Sequence, residues 1–288
     1  MKPLVQQSAS AMRLPSAAPG TRPAPRFVDP PETLPQLHEC TFYHTIDLPG
    51  LGTIRGQWDL RPGIKEYFGD FDFDKKRVLE IGTASGFNCF EMERRGAEVT
   101  AFDLDERLTY DPKPGAQLLA LDAYRAGVLQ QRNGFWLSHR LLKSRARFVC
   151  GHANYLPEWL GDFDVGVMAN VLQHLQDPVG AIMQLAARCR ALVITEGDWL
   201  DGSHDDVPGL IYFMGPKSPF SWYQVKPSLV RAVCEDLGFT HINQTRHYQR
   251  MMNNTVHHEG AGPTGADVGT DGAGMRVAHF TITAVRPA

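Results

Sequence analysis

The sequence predicts a doubly wound α/β fold with a mostly parallel sheet, and two observations support this prediction. From Arg77 onward, apolar strand patterns such as RVLEIG, FDVGVMAN and ALVITEG alternate with helical patterns. Such alternation is typical of parallel strands joined by crossover helices. The last two strand patterns, FTHINQTRHYQ and RVAHFTITAV, have no helix between them. They predict an antiparallel hairpin at one edge of a seven-stranded sheet.

Two segments precede this α/β core. Residues 1–37 are rich in proline and lack a continuous apolar run, which predicts a disordered or loosely tethered tail. Residues 38–76 mix aromatic residues with turn signals and are predicted to form an N-terminal cap on the core domain, which spans 77–288. A helical pattern between the second and third core strands is predicted to be an insertion, at 106–146, that covers the site.

Composition excludes several classes of protein. The 288 residues carry a formal net charge of −3, which lacks the basic excess expected of a protein that binds many phosphates. The five cysteines form no C-x-x-C pair, so neither a disulfide framework nor a zinc site is expected. No apolar run approaches the roughly 20 residues of a membrane span, and the first residues do not resemble a secretory signal. We therefore expect a cytoplasmic enzyme, and a homodimer is compatible with the sequence.

The strongest motif follows the first core strand. Residues 78–81 lead into Gly82, and a second glycine, Gly86, begins a helical pattern. Ligands of open α/β sheets bind at the carboxyl ends of strands, where glycines let the backbone approach them closely. The glycines are four residues apart, not two as in a dinucleotide fingerprint, and Glu80 precedes them. Because a carboxylate repels pyrophosphate and attracts a cation, the loop suits a positively charged nucleoside better than NAD.

The second core strand supports this interpretation. It ends in Phe102-Asp103-Leu104. An acid at this position can accept hydrogen bonds from both hydroxyls of a ribose. The sequence therefore predicts a nucleoside held between two neighbouring strand ends, with Glu80 and Asp103 as its acidic ligands.

These segments resemble the class I S-adenosylmethionine-dependent methyltransferases, which have a Rossmann-like fold. Residues 80–86 resemble the first motif of that family, and Asp103 matches its ribose-binding acid. Residues 150–157 resemble the segment along the adenine, and residues 163–178 the fourth strand with its following turn. The resemblance covers residues 77–288 and implies S-adenosyl-L-methionine as cofactor and S-adenosyl-L-homocysteine as product. The residues expected at the cofactor are Trp58, Glu80, Gly82, Ala84, Gly86, Asp103, Leu104, Ala153, Asn154 and Asn170.

The adenine segment departs from the family pattern. His152 stands where the family often has an acid that accepts a hydrogen bond from the adenine amino group. A neutral histidine accepts only through its unprotonated ring nitrogen. Backbone groups around Ala153 and Asn154 are the alternative.

A second resemblance concerns the tRNA wobble-uridine carboxymethyltransferase branch of this family. Residues 56–59 (Gly-Gln-Trp-Asp), the pair Trp222-Tyr223 and residues 226–228 resemble features of that branch. It uses a carboxylated cofactor held by cationic and tyrosyl groups. That full set is not found here, so ordinary S-adenosylmethionine is favoured.

Three residues are predicted to act on the methyl acceptor. His174 follows the fourth core strand, Glu196 ends the fifth, and His139 lies in the helical pattern before the third. A histidine or carboxylate at the site can remove a proton from an oxygen or nitrogen nucleophile or orient it. His44 is a further candidate base, and Trp222 and Tyr223 are candidate walls of the pocket. No metal is expected, because His241, His247 and the pair His257-His258 lack ligand spacing.

The predicted activity is methyl transfer to oxygen or nitrogen of a small metabolite, such as a natural product or a sugar derivative. Three alternatives are kept. One is a tRNA-modifying methyl- or carboxymethyltransferase, which needs a contiguous basic surface. Another is a non-catalytic module that binds S-adenosylmethionine. A nicotinamide-dependent oxidoreductase is the third, and it requires that NAD binds.

Overall fold

The computed structural model describes residues 23–107, 121–198, 207, 211–214, 221–252 and 274–287. The helices are α1 (Ile64–Tyr67), α2 (Phe87–Arg94), α3 (Leu121–Leu142), α4 (Pro178–Ala186) and α5 (Pro227–Asp236). The strands are β1 (Arg26–Val28), β2 (Ile46–Leu48), β3 (Gly52–Ile54), β4 (Trp58–Asp59), β5 (Arg77–Ile81), β6 (Glu98–Leu104), β7 (Arg147–Gly151), β8 (Phe163–Ala169), β9 (Cys189–Gly197), β10 (Ile211–Phe213), β11 (Tyr223–Val225), β12 (His241–Met251) and β13 (Met275–Val285).

One large sheet organises the molecule, with strand order β1-β7-β6-β5-β8-β9-β13-β12-β4. Strands β5 to β9 are parallel to one another where they pair, and β13 runs antiparallel to β9 and to β12. The predicted doubly wound, mostly parallel sheet with an antiparallel hairpin is confirmed. The predicted number of seven strands is too small by two, since β1 and β4 pair antiparallel with β7 and β12. These additions are two or three residues long, too short to show an alternating pattern.

Both faces of the sheet are covered. Val78 and Leu79 are neighbours in β5 and fully buried, and they belong to hydrophobic clusters on opposite faces. Strand side chains alternate between faces, so a strand buried on both sides must be apolar throughout. We call the face packed by α1, α2 and α3 the cap face, and the other, packed by α4 and α5, the α4 face. No helix in the described part of the chain has the length and hydropathy of a bilayer-spanning segment.

Helix α3 is the connection between β6 and β7, which pair in parallel. Two parallel neighbours require a crossover that packs on the sheet. The ring of Phe135 in α3 meets that of Phe148 in β7 at a centroid distance of 4.7 Å. The helical part of the segment predicted as an insertion is therefore this crossover, and residues 108–120 lie outside the described residues.

The segments before the core are joined to the sheet. Strand β1, at 26–28, lies in the predicted tail yet pairs with β7, and Arg26 forms an ion pair of 3.1 Å with Glu106. The cap residue Tyr67 is fully buried, and its carbonyl oxygen accepts hydrogen bonds from the hydroxyls of Thr195 and Thr281 at 2.7 and 3.0 Å. Residues of the 38–76 segment, such as Tyr67, thus pack on the cap face of the sheet, and residues 1–22 lie outside the described residues.

Candidate active site

The carboxyl ends of β5, β6, β8 and β9 form one edge of the sheet, which we call the carboxyl edge. Several small or polar residues there are only partly buried, although the strand residues just before them are buried. They are Gly82, Ala84, Asp103, Ala169 and Asn170. The edge is therefore open above the sheet at the place where ligands of this fold bind. The structure brings most of the predicted site residues together here.

The loop after β5 needs its glycine. Gly82 has a φ of +81°, and its N–H donates to the carbonyl of Phe102 at 2.8 Å. A Cβ at this position would lie 2.4 Å from a methyl group of Val171. The cap lies on the same loop, because the N–H of Tyr43 donates to the hydroxyl of Ser85 at 3.0 Å. Backbone of the loop can approach a ligand closely because no side chain fits there.

Replacing Gly82 by alanine is expected to destabilise the protein and to abolish nucleoside binding. Its positive φ alone costs about 1–2 kcal/mol, and the contact with the stiff side chain of Val171 adds about 1–3 kcal/mol. The matched control is Gly50→Ala, because Gly50 has a φ of +79° with no atom within 4 Å of the added Cβ. Chemical denaturation of both variants isolates the contact, and equal losses in the two would show that Val171 does not constrain the loop.

Glu80 is the most unusual group of the site. Its side chain is 1% exposed, and neither carboxyl oxygen has a hydrogen bond of good geometry among the described residues, although the nearby Thr83 hydroxyl opposes the rise in its pKa. Burial raises its pKa to about 8, so the group is mostly protonated at neutral pH. An unpaired buried polar group costs free energy, and such groups in folded proteins are explained by a ligand or by function. Three further buried atoms lack a hydrogen bond of good geometry among the described residues. They are Thr83 Oγ1 and Asn88 Oδ1, which follow Glu80 closely in the sequence, and His44 Nδ1 in the cap.

Asp103 ties the first two strand ends together. One carboxyl oxygen accepts the N–H of Ala84 at 2.5 Å, and the other accepts that of Leu104 at 2.6 Å. Burial raises its pKa, while these two backbone bonds oppose that shift. Each carboxyl oxygen can accept a second hydrogen bond. The group is thus oriented by the loop and keeps acceptor capacity for a ligand at the partly exposed edge.

Asn170 ends β8 in a left-handed conformation, with a φ of +55°. Its side chain is engaged on both sides. Its Oδ1 accepts the N–H of Gly197 at 2.9 Å, and its Nδ2 donates to the hydroxyl of Tyr67 at 3.1 Å. The side chain predicted to bind the cofactor therefore links β8, β9 and the cap.

Glu196 supports the turn that follows β8. It is 2% exposed, and its Oε1 accepts the N–H groups of Val171 and Leu172 at 3.0 and 2.8 Å. Burial raises its pKa to about 8 despite these bonds. The geometry makes Glu196 a positioning residue for the turn rather than a group with a free carboxylate.

The three histidines named as candidate bases lie in different places. His174 is partly buried at the end of a short 3-10 helix, Leu172–His174, at the carboxyl edge. His139 is not brought to this edge, because its Nε2 lies 3.1 Å from the carbonyl of Ala146, just before β7 begins at the opposite end. His44 is buried in the cap, where burial lowers its pKa to about 3, and its ring lies 5.8 Å from that of Phe87.

The segment predicted to lie along the adenine follows β7. Ala153 is buried, and Asn154 is partly buried with its side-chain amide donating to the carbonyl of Asp177 at 2.7 Å. The N–H of Asn154 donates to Nδ1 of His152 at 3.3 Å. In this long hydrogen bond Nδ1 is the acceptor. The ring of His152, which stands where the family often has an acid, therefore contacts the backbone of its own loop.

Sequence reasoning missed residues on the cap face of the hairpin. Trp58 was expected at the site, and its ring packs edge-on against that of His279 at 5.3 Å. His279 and His247 are stacked at 5.7 Å, and burial lowers their pKa values to about 4 and 3. Tyr67 contacts both rings. The sequence did contain one signal, the alternation of polar residues in β13. Such alternation is typical of a strand with one solvent-exposed face, but here the polar face of β13 is buried beneath the cap.

Three potential metal ligands do meet at the end of β6. Asp105, Glu106 and Cys150 have ligand atoms within 4.8 Å of one another. However, both carboxylates already form ion pairs with arginines. Arg107 pairs with Asp105 and Arg132 pairs with Glu106, each at an N–O distance of 2.6 Å. Burial raises the pKa of Cys150 to about 12, and the protonated thiol is a poor ligand. This group is an ion-pair cluster, and the pair His257-His258 lies outside the described residues.

Comparison with known proteins identifies the class of the domain. The profile described as methyltransferase domain matches residues 56–244, which is more than half of the chain. The chain therefore belongs to the methyltransferase domain family, and the predicted class I methyltransferase is confirmed. The match begins inside the cap, so the family domain includes the segment that carries Trp58 and Tyr67. No curated protein matches the chain.

Several solved structures are similar in fold. The N-terminal domain of EvdMO1, crystallised in the presence of SAH and D-fucose, is 15% identical, with 84% of this chain and 90% of that chain covered and a TM-score of 0.49. Magnesium protoporphyrin IX methyltransferase from Synechocystis PCC 6803 with bound SAM is 16% identical, with coverages of 79% and 78% and a TM-score of 0.44. The YcgJ protein from Bacillus subtilis is 13% identical, with coverages of 74% and 93% and a TM-score of 0.46.

Proposed function

We propose that this protein is an S-adenosylmethionine-dependent methyltransferase that acts on oxygen or nitrogen of a small metabolite, such as a natural product or a sugar derivative. One observation carries the cofactor assignment. Glu80 is a buried carboxyl with no cationic partner among the described residues, beside a glycine loop that is tied to Asp103 at the next strand end. This arrangement suits a nucleoside with a cationic amino acid tail, in which the ammonium group compensates Glu80 and the ribose hydroxyls reach Asp103.

The donor set fits the cofactor along its whole length. Glu80 would hold the ammonium group, Asp103 the ribose, and the backbone beside Ala153 the adenine. When bound, S-adenosylmethionine supplies a methyl group made electrophilic by its sulfonium. The chain itself contributes alignment, which is the main requirement of an in-line displacement. The turn held by Glu196 sets where the acceptor lies relative to the loop.

His174 is the candidate base of the proposed reaction. It lies at the carboxyl edge and is partly exposed, on a turn that Glu196 fixes. A hydroxyl acceptor loses its proton as the new bond to carbon forms, and a neutral imidazole within hydrogen-bond reach can accept it. An amine acceptor that is already neutral needs no such base.

The charges at the edge favour a small metabolite over RNA. Arg26, Arg107 and Arg132 lie there, and each is paired with Asp105 or Glu106. Paired arginines contribute little to the binding of a phosphate backbone. The five cysteines are all free, which supports a reducing, cytoplasmic location.

The Asp103→Ala variant is expected to bind S-adenosylhomocysteine more weakly by about 1.5–3 kcal/mol, because charge-assisted hydrogen bonds to the ribose are lost. Isothermal titration calorimetry measures the change. The matched control is Asp47→Ala, since Asp47 is exposed and pairs with Arg61 away from the edge. Undiminished affinity in Asp103→Ala would contradict the ribose assignment.

Activity is tested with S-adenosylmethionine labelled in its methyl group. Incubation with pooled small metabolites and, separately, with tRNA is expected to label the metabolite fraction. Transfer to tRNA that declines steeply with salt would favour the RNA-modifying alternative. Tight cofactor binding without transfer to either fraction would favour a binding module.

A further inference from the structure

The cap carries a buried hydrogen-bond donor that the sheet does not use. The Tyr67 hydroxyl is fully buried and accepts a hydrogen bond from Asn170 at 3.1 Å. None of the described residues accepts the proton of that hydroxyl. A phenol has one proton to donate, and a buried donor without an acceptor costs free energy. The hydroxyl is therefore poised for an acceptor that arrives with a ligand.

Strand register places Tyr67 two strands away from Glu80, with β8 between them, and Glu80 is among the groups that act on the pKa of the Tyr67 hydroxyl. In β5, Glu80 pairs with Val167 of β8, so the loop glycine Gly82 lies level with Ala169. On the other side of β8, Tyr67 lies over Thr195 of β9 through its carbonyl oxygen. Adjacent strands are about 4.8 Å apart, so roughly 10 Å separate the strands beneath the two groups. Ala169 between them is small and partly exposed, which leaves room above β8.

The two groups are complementary to the two charges of an amino acid. Glu80 offers a carboxyl to the ammonium group of the ligand. The α-carboxylate of the ligand is two bonds away from that ammonium group. Tyr67 keeps its proton to donate, because burial and then the neighbouring Tyr43, Glu196 and Glu80 raise its pKa well above 10. A hydrogen bond from a neutral phenol to a carboxylate is charge-assisted and therefore strong.

We propose that Tyr67 of the cap binds the α-carboxylate of the cofactor's amino acid portion, opposite the ammonium group held by Glu80. The inference rests on the proposed function, since it assigns a further residue to that cofactor site. The cap then completes the site instead of merely covering it. Asn170, whose backbone is left-handed, positions the Tyr67 hydroxyl by donating a hydrogen bond to it.

The test compares two ligands on two proteins by calorimetry. The ligands are S-adenosylhomocysteine and its decarboxylated form, which keeps the ammonium group. The wild type is expected to bind the decarboxylated form about tenfold to a hundredfold more weakly. Tyr67→Phe is expected to bind both ligands with the weak affinity, because the donor to the carboxylate is gone. Tyr248→Phe, on the exposed side of β12, is the control and should bind like the wild type.

The outcomes separate the inference from the proposed function. If Tyr67→Phe distinguishes the two ligands as well as the wild type does, the carboxylate assignment is overturned. If it loses affinity for the decarboxylated form as well, Tyr67 supports the fold and not the carboxylate. Binding of 5′-methylthioadenosine, which lacks the amino acid, reports whether the variant is folded and should not change. A wild type that binds neither S-adenosylhomocysteine nor 5′-methylthioadenosine contradicts the proposed function itself.

Discussion

Replacing Glu80 by glutamine is expected to weaken S-adenosylhomocysteine binding by about 3 kcal/mol, or roughly 100-fold, because it leaves a buried ammonium group without its counter-charge. The same change is expected to raise the melting temperature of the ligand-free protein at pH 8 to 9. Burial holds the pKa of Glu80 at about 8 in the folded protein, above the ordinary value of 4.5. The stability linked to this group is therefore complete below about pH 4.5 and lost as the pH rises through 8. Glutamine does not ionise and avoids that loss.

Calorimetry and thermal denaturation check the two parts of this prediction. Glu98→Gln is the matched control, because Glu98 is an exposed residue at the start of the neighbouring strand β6. It should change neither the affinity nor the pH dependence of melting. A Glu80→Gln protein that binds as tightly as the wild type would show that the ammonium group lies elsewhere. Lower melting temperature in alkaline solution would show that Glu80 has a structural partner.

Binding of S-adenosylhomocysteine is expected to tighten as the pH rises from 6 to 8, by up to roughly fiftyfold. Glu80 is protonated in the empty site below its pKa of about 8, whereas the ammonium group prefers the carboxylate. Binding must then release a proton, and each pH unit below 8 costs up to about 1.4 kcal/mol. Above pH 8 the amino group of the ligand loses its own proton, so affinity should pass through a maximum near that pH.

Titrations in buffers of different ionisation enthalpy measure the released proton directly. We expect close to one proton per ligand at pH 6.5 in the wild type and none in Glu80→Gln. Burial also raises the pKa of Glu196 to about 8, but its Oε1 accepts backbone N–H groups of the turn, so we expect its protonation to stay unchanged on binding. The ligand 5′-methylthioadenosine should bind independently of pH in this range. Proton release that persists in Glu80→Gln would assign the linkage to another group.

The fold was largely predictable because its core strands are buried on both faces. Apolar runs such as that of β8, Phe163–Ala169, are typical of central parallel strands, and the hairpin of β12 and β13 lacks an intervening helix. The edge strands β1 and β4 were not predictable, since pairs of two or three residues depend on tertiary contacts and carry no periodicity. The helical segment before β7 was misread as an insertion because sequence alone does not show which strands are neighbours.

The meeting of the strand-end residues at one edge was predictable, and their contacts with the cap were not. Glu80, Gly82 and Asp103 follow strand ends in the pattern of a known motif, and the structure brings them to one edge. Tyr67 and His279 meet only because the cap folds onto the hairpin, and neither sits in a motif. His139 was predicted at the site, but it lies in the last turn of α3, beside the start of β7 and away from the carboxyl edge. The sequence does not show which end of the sheet this end of the helix meets.

The proposed cofactor site depends on two carboxyl groups, Glu80 at the ammonium group and Asp103 at the ribose of the same ligand. Affinities of S-adenosylhomocysteine and 5′-methylthioadenosine for the wild type, Glu80→Gln and Asp103→Asn test it most directly. We expect Glu80→Gln to lose affinity only for S-adenosylhomocysteine, which carries the amino acid, and Asp103→Asn to lose affinity for both ligands through the shared ribose. Equal losses for both ligands in Glu80→Gln, or unchanged binding of both ligands in Asp103→Asn, would contradict it.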